Sequence, residues 1–126
     1  MEWTTELRYK RYEDWTEEEK KQIKEKMAKS PWHTHYHVEP TSGLLNDPNG
    51  FSYFDGKWIL FYQNFPFGAA HGLKSWVQLE SDDLVHFNET GVKVLPDTPL
   101  DSHGAYSGSA MQFDDKLFLF YTGNVR

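Results

Sequence analysis

The chain has 126 residues, with 13 Lys and Arg against 19 Asp and Glu, for a formal net charge of −6 at pH 7. An acidic balance with no basic run argues against a nucleic acid or an anionic membrane as partner, and the absence of cysteine excludes a disulfide framework or a thiolate metal site. The length suffices for one domain with a core, no apolar segment is long enough to span a bilayer, and the expected setting is the cytoplasm.

In chain order, the first predicted element is a helix over "TEEEKKQIKEKMAKSP", residues 16–31. Thr16 is a good N-cap, and Glu19 three positions later completes a capping box. Acidic Glu17 to Glu19 open the helix and Lys24, Lys26 and Lys29 close it, matching the macrodipole, until Pro31 stops it. Only Ile23 and Met27 offer an apolar stripe, so the helix is expected to lie, mostly solvated, on something larger.

Strands are predicted from residue 50. "GFSYF" and "KWILFYQ" flank Asp55-Gly56, a two-residue hairpin signal. "KSWVQLES" (74–81) alternates as a third strand and "GVKVLP" (91–96) is a fourth. "SDDLVHF" connects them as an Asp-rich turn with Leu84 and Val85 expected to be buried. "GSAMQF-DD-KLFLFYT" (108–122) repeats the hairpin. At an offset of 59 residues, Phe54, Asp55, Lys57, Leu60, Phe61 and Tyr62 meet Phe113, Asp114, Lys116, Leu119, Phe120 and Tyr121. A self-similar four-stranded unit of this kind is the signature of propeller blades, which cannot bury their faces alone. About 4 to 8 blades close such a ring, so one unit and half of the next are expected to be the front of something longer.

"GLLNDPNGF", residues 43–51, carries the sharpest question. Pro48 should make Asp47 extended, and Asn49-Gly50 can turn with positive φ. Turn chemistry alone accounts for all five residues of Asn-Asp-Pro-Asn-Gly. Alternatively, Asp47 is a carboxylate held at a strand entry facing a ligand. Leu44 and Leu45 anchor that corner, Gln63-Asn64 end the neighbouring strand with amides suited to sugar hydroxyls, and "GAYSGSA" (104–110) brings Tyr106 and Ser107 to the next innermost strand.

Together, "LLNDPNGFSYFDGKWILFYQNFPFG", "SDDLVHF", "GAYSGSA" and "FYTGN" resemble the β-fructosidase family, glycoside hydrolase family 32, from about His35 to the end, and its bacterial sucrose-6-phosphate hydrolase branch most. The resemblance implies an all-β fold: the first one and a half blades of a five-bladed propeller. Residues 1–34 would be a helical extension and 35–126 the incomplete catalytic propeller. It also implies retaining cleavage of the β-fructofuranosyl bond of sucrose-6-phosphate or sucrose, with Asp47 as nucleophile and no cofactor. Leu44, Leu45 and Asn46 would shape the fructose corner, Gln63 would bind fructose hydroxyls, Tyr106 and Ser107 would close the subsite, and Trp76 would line the pocket.

The family's acid/base comes from a Glu-Cys pair and a stabilising Asp from Arg-Asp-Pro, and neither motif occurs here. Glu39, Glu80 and Glu89 match neither and are expected on the solvated surface. Leu44-Leu45 replaces the family's aromatic-Met, Trp76-Val77-Gln78 its Trp-Gly-His, and Tyr106-Ser107 its Phe-Ser. The alternatives are a non-catalytic carbohydrate-binding fragment or relic of such an enzyme, and an unrelated hairpin-repeat protein. His33, His35 and His37 of "HTHYH" alternate as metal ligands can, but no carboxylate or thiolate cluster completes a site, so no metal is expected.

Overall fold

A computed structural model describes residues 2–125. Two helices, α1 (Thr5–Arg8) and α2 (Glu17–Ala28), flank a 3₁₀ turn at Tyr12–Asp14 and precede six strands: β1 (Leu44–Phe54), β2 (Lys57–Phe65), β3 (Ser75–Ser81), β4 (Asn88–Val94), β5 (Ala105–Phe113) and β6 (Lys116–Gly123). The first four form one antiparallel sheet in sequential order, and β5–β6 form a separate hairpin whose β5 lies alongside β1. This is one four-stranded blade and the opening of a second, as expected. No described helix is long and apolar enough to cross a membrane.

The local signals in the sequence are met. Thr16 accepts from the Glu19 N–H at 3.2 Å while the Glu19 carboxylate accepts from the Thr16 N–H at 2.8 Å, and α2 buries none of its residues. The Asp55-Gly56 turn has φ of 50° and 78°, the left-handed pair that a two-residue hairpin needs, and closes on the Phe54–Lys57 pair. Asp114-Asp115 closes the second hairpin on Phe113–Lys116.

Alternation along β2 divides the core. Ile59 and Phe61 face the second hairpin and pack with Trp76, Ala105, Leu117 and Leu119. Leu60 and Tyr62 face the other way, with Val77, Leu79, Leu45 and Phe87. A third cluster, of Trp15, Phe65 and Phe67, joins the N-terminal segment to the end of the sheet: Trp15 stacks on Phe67 with centroids 4.3 Å apart, and Trp3, Leu7, Ile23 and Leu44 pack against the cluster. Each such aromatic contributes roughly 1.5–3 kcal/mol by leaving water. The Leu73 N–H donates to the Arg8 carbonyl at 2.7 Å and the Tyr12 hydroxyl to the Leu73 carbonyl at 3.1 Å, so the N-terminal segment is fastened to the β2–β3 connection.

Three expectations are corrected. Asn-Asp-Pro-Asn-Gly is not a turn between elements: β1 runs through it, six residues earlier than expected, with two register shifts, at Asn46/Pro48 and Asn49/Ser52. Asp47 is not extended but has φ of 39°. Leu84 and Val85 are exposed, because the connection is organised by Asp83, which accepts from the Val85 and His86 N–H groups at 2.9 and 2.7 Å, rather than by a core.

The "HTHYH" segment is tied internally. His33 bonds Glu39 at 2.6 Å through Nδ1 and the Met27 carbonyl at 3.0 Å through Nε2. Among the described residues no group of three or more His, Asp or Glu is placed to hold a metal ion.

Candidate active site

The two innermost strands each carry one extra residue at the same height. In β1, Asn46 pairs with Gln63 and Pro48 with Tyr62, leaving Asp47 as the bulged residue. In β5, Tyr106 pairs with Thr122 and Gly108 with Tyr121, leaving Ser107. A bulge re-aims the side chain it carries, and here both bulged side chains meet: the Ser107 hydroxyl donates to Asp47 Oδ2 at 2.9 Å. Positive φ is unfavourable for a non-glycine residue, though Asp tolerates it better than most, and the strain costs about 1 kcal/mol or more. The surroundings over-determine it. Asn49 donates through Nδ2 to the Asp47 carbonyl at 2.6 Å and accepts at Oδ1 from the Gly108 N–H at 2.9 Å, pinning the two strands together. Gly50 permits their approach, since a Cβ there would stand 3.0 Å from the Phe61 ring and 3.1 Å from the Ala110 Cβ.

Gln63, fully buried on β2, completes the cluster. Its Nε2 donates to Ser107 Oγ at 2.8 Å and to Asp47 Oδ2 at 3.3 Å, and its Oε1 accepts from Asn46 Nδ2 at 3.3 Å. The Ser107 hydroxyl and then the Asn46 amide hold the exposed Asp47 carboxyl below its usual range; desolvation opposes them, and the charges of Lys74 and His71 add still smaller effects in the lowering direction. Near neutral pH the arrangement presents an ionised carboxylate with one oxygen engaged by two donors. Such a group can act as a nucleophile or a base. Asn46 Oδ1 is buried beside it with no hydrogen-bond partner.

The structure thus brings Asn46, Asp47, Gln63 and Ser107 into one network. Tyr106 adjoins it: its carbonyl accepts from Trp76 Nε1 at 3.1 Å, and its ring lies 5.7 Å from Lys74 Nζ. Trp76 itself is fully buried in the core beneath, so it supports Tyr106 rather than lining an open surface. Leu44 and Leu45 point to opposite faces of β1 and belong to two hydrophobic clusters; they anchor the strand rather than join the network. Glu39, Glu80 and Glu89 are engaged elsewhere, with His33, Gln78, and Tyr62 and Thr41 respectively. The expectation that these three are merely solvated misses those bonds.

Three residues around the network are not singled out by the sequence: Asn49, which bonds the Asp47 backbone, and Lys74 and His71, which bond each other. Lys74 precedes β3 and lies two positions from Trp76, hence on the same face of an extended segment, which was the available signal. For Asn49 no signal separates a strand-to-strand bridge from an ordinary turn residue.

Comparison with known proteins bears on the family and the fold. Residues 37–126 match the model of the glycosyl hydrolases family 32 N-terminal domain. A sucrose-6-phosphate hydrolase of Streptococcus mutans is 72% identical over 120 residues, covering 95% of this chain and 25% of the relative. The structure of sucrose-6-phosphate hydrolase from Lactobacillus gasseri superposes with a TM-score of 0.94 at 53% identity, over 98% of this chain and 25% of that one. A Bombyx mori β-fructofuranosidase of family 32, solved as a mutant in complex with sucrose, gives a TM-score of 0.69 at 34% identity, over 86% of this chain and 24% of that one. The chain therefore spans about a quarter of the length of these relatives. With a blade and a half of the expected fold and the family model matched along 37–126, the chain belongs to glycoside hydrolase family 32, in its N-terminal domain.

Proposed function

We propose that this chain supplies the nucleophile half of a retaining β-fructofuranosidase site that acts on sucrose-6-phosphate or sucrose. The observation that carries the reading is the Asp47 carboxylate, fixed on a strained bulge and bonded at Oδ2 by Ser107 and Gln63. Oδ1, to which neither of these donates, would attack the anomeric carbon of the fructosyl unit. The bond from that carbon to the glucosyl oxygen breaks, and the leaving oxygen takes a proton from a second carboxyl group. Water then attacks the same carbon, gives its proton to that second group, and releases Asp47. Retention requires the second group at roughly 5 to 5.5 Å from the first. Glu39, Glu80 and Glu89 are bonded elsewhere, so the acid would come from a longer polypeptide that contains this chain. The unpartnered Asn46 Oδ1 supports a polar ligand beside Asp47, since a buried acceptor left unsatisfied is costly and a fructose hydroxyl would satisfy it. In the same reading, residues 1–34 are an extension, 35–126 belong to the propeller, and the enzyme works in the cytoplasm.

The test is Asp47→Asn in the full-length polypeptide. Fructose release from sucrose and its 6-phosphate should fall by several orders of magnitude, with the thermal melt unchanged and fructose still altering Trp fluorescence. Unchanged release would sink the assignment. The same groups without an acid favour a narrower behaviour for the 126-residue chain by itself, namely binding fructosides without hydrolysing them.

A further inference from the structure

Burying a lysine ammonium is costly unless an opposite charge and hydrogen bonds compensate it. Lys74 is only 4% exposed, and among the described residues it forms no direct ion pair with a carboxylate. Its Nζ donates instead to His71 Nδ1 at 2.8 Å and stands 5.7 Å from the centre of the Tyr106 ring, within cation–π reach. The seat is rigid. The Lys74 carbonyl accepts from the Ala105 N–H at 2.8 Å, which clamps the residue between the first sheet and the second hairpin, and the Leu73 N–H beside it is held by the Arg8 carbonyl. Two glycines let the chain close around it. A Cβ on Gly72 would stand 2.5 Å from the Arg8 carbonyl oxygen, and one on Gly104 would stand 3.1 Å from the Lys74 backbone nitrogen and 2.8 Å from the Tyr106 ring.

An ammonium has only hydrogens to give, so Nδ1 of His71 must accept and the imidazole hydrogen sits on Nε2. His71 is exposed, and no described residue hydrogen-bonds its Nε2. The pair therefore relays a buried positive charge to one outward N–H. The same ammonium lies against the ring of Tyr106, the residue before Ser107, whose hydroxyl holds Asp47. We propose that this N–H sets substrate choice: His71 donates from Nε2 to the phosphate monoester of a substrate whose fructosyl unit sits at Asp47, with Lys74 as the positioning residue behind it. The phosphate would supply the counter-charge that Lys74 lacks, and donation from Lys74 strengthens the outward N–H as a donor. A neutral hydroxymethyl group in the same place would accept the hydrogen bond without answering the charge. The inference deepens the hydrolase reading and rests on it for the position of the sugar: of the two substrates named there, it selects sucrose-6-phosphate.

The test compares the full-length polypeptide with its His71→Ala, His71→Gln and Lys74→Met variants, reading kcat/KM on sucrose-6-phosphate and on sucrose side by side. A hydrogen bond to a charged group amounts to about tenfold to a hundredfold in binding. The preference for the phosphorylated substrate should therefore fall about tenfold or more in His71→Ala, mainly through KM, and by less in His71→Gln, whose amide can still donate. Lys74→Met should lower the same preference, and combining it with His71→Ala should lower it little further, because both act through one N–H. Calorimetry with glucose 6-phosphate and with glucose needs no turnover. The phosphate should tighten binding in the wild type and much less in His71→Ala. A preference unmoved in His71→Ala overturns the proposal, and so does equal binding of the two sugars by the wild type. Binding of inorganic phosphate that His71→Ala leaves unchanged, with no preference between the substrates, overturns it too and marks a phosphate site elsewhere. If Lys74→Met does not fold, the exposed His71 variants decide. A wild-type polypeptide that releases no fructose from either substrate sinks the hydrolase reading and leaves calorimetry to judge the phosphate contact.

Discussion

The two hairpins carry the same nine-residue pattern in different surroundings. Phe61 and Tyr62 are each 1% exposed, whereas their counterparts Phe120 and Tyr121 are 52% and 38% exposed. The sequences cannot account for this, because the residues are identical. What differs is the neighbour: β2 is covered by β3 on its open edge, and among the described residues β6 has no further strand beside it. Burial in such a repeat is therefore conferred by the strands that follow. The two tyrosines show the same contrast in polar form. Tyr62 donates to the exposed Glu89 at 3.1 Å, from the outer strand of its own sheet. Tyr121 donates at 2.8 Å to the fully buried Asp101 in the connection leading into β5.

The largest expected consequence is in hydrogen exchange of the 126-residue chain. Amides of β2 and β3 should exchange about a hundredfold or more slowly than those of β5 and β6; equal protection would mean that the second hairpin is as well supported as the first. Next comes the tyrosine pair. Tyr121→Phe leaves a buried carboxylate oxygen of Asp101 without its donor and should cost about 1–3 kcal/mol, while Tyr62→Phe, whose partner can turn to water, should cost less than about 1 kcal/mol. Both are readable from denaturant dependence of the same exchange, and the reverse order would show that exposure does not govern the difference. The smallest effect is at the turns. Gly56 has φ of 78° with nothing near its missing side chain, so Gly56→Ala should cost about 1 kcal/mol from backbone strain alone. Asp115→Ala, at a position outside the left-handed region, should cost close to nothing.

What the sequence reveals follows the range of the interaction. The α2 capping box and the Asp55-Gly56 turn are decided within four residues, and both are legible. The start of β1 is not. Two bulges break its alternation, and every residue between them is also a favoured turn former, so local chemistry and strand pairing point apart until β2 and β5 are in place. Leu44 and Leu45 read as one corner, yet adjacent strand residues face opposite sides and the pair divides between two clusters. Lys74 reads as an ordinary charge because its burial depends on Ala105 and Tyr106, some thirty residues on. Asp47, Gln63 and Ser107 are legible as candidates through resemblance, but the contact between two bulges is a property of the docked hairpins alone.

That contact has a consequence for the order in which the chain becomes competent. Asp47 is made early in synthesis, but its hydroxyl donor arrives sixty residues later on a different hairpin. Until β5 settles against β1, the carboxylate lacks the Ser107 donor, the Asn49–Gly108 tether and the Lys74–Ala105 clamp all at once. On the proposed reading, arming of the acidic group is a report on assembly: a polypeptide whose second hairpin has come loose would carry the nucleophile in an unprepared state.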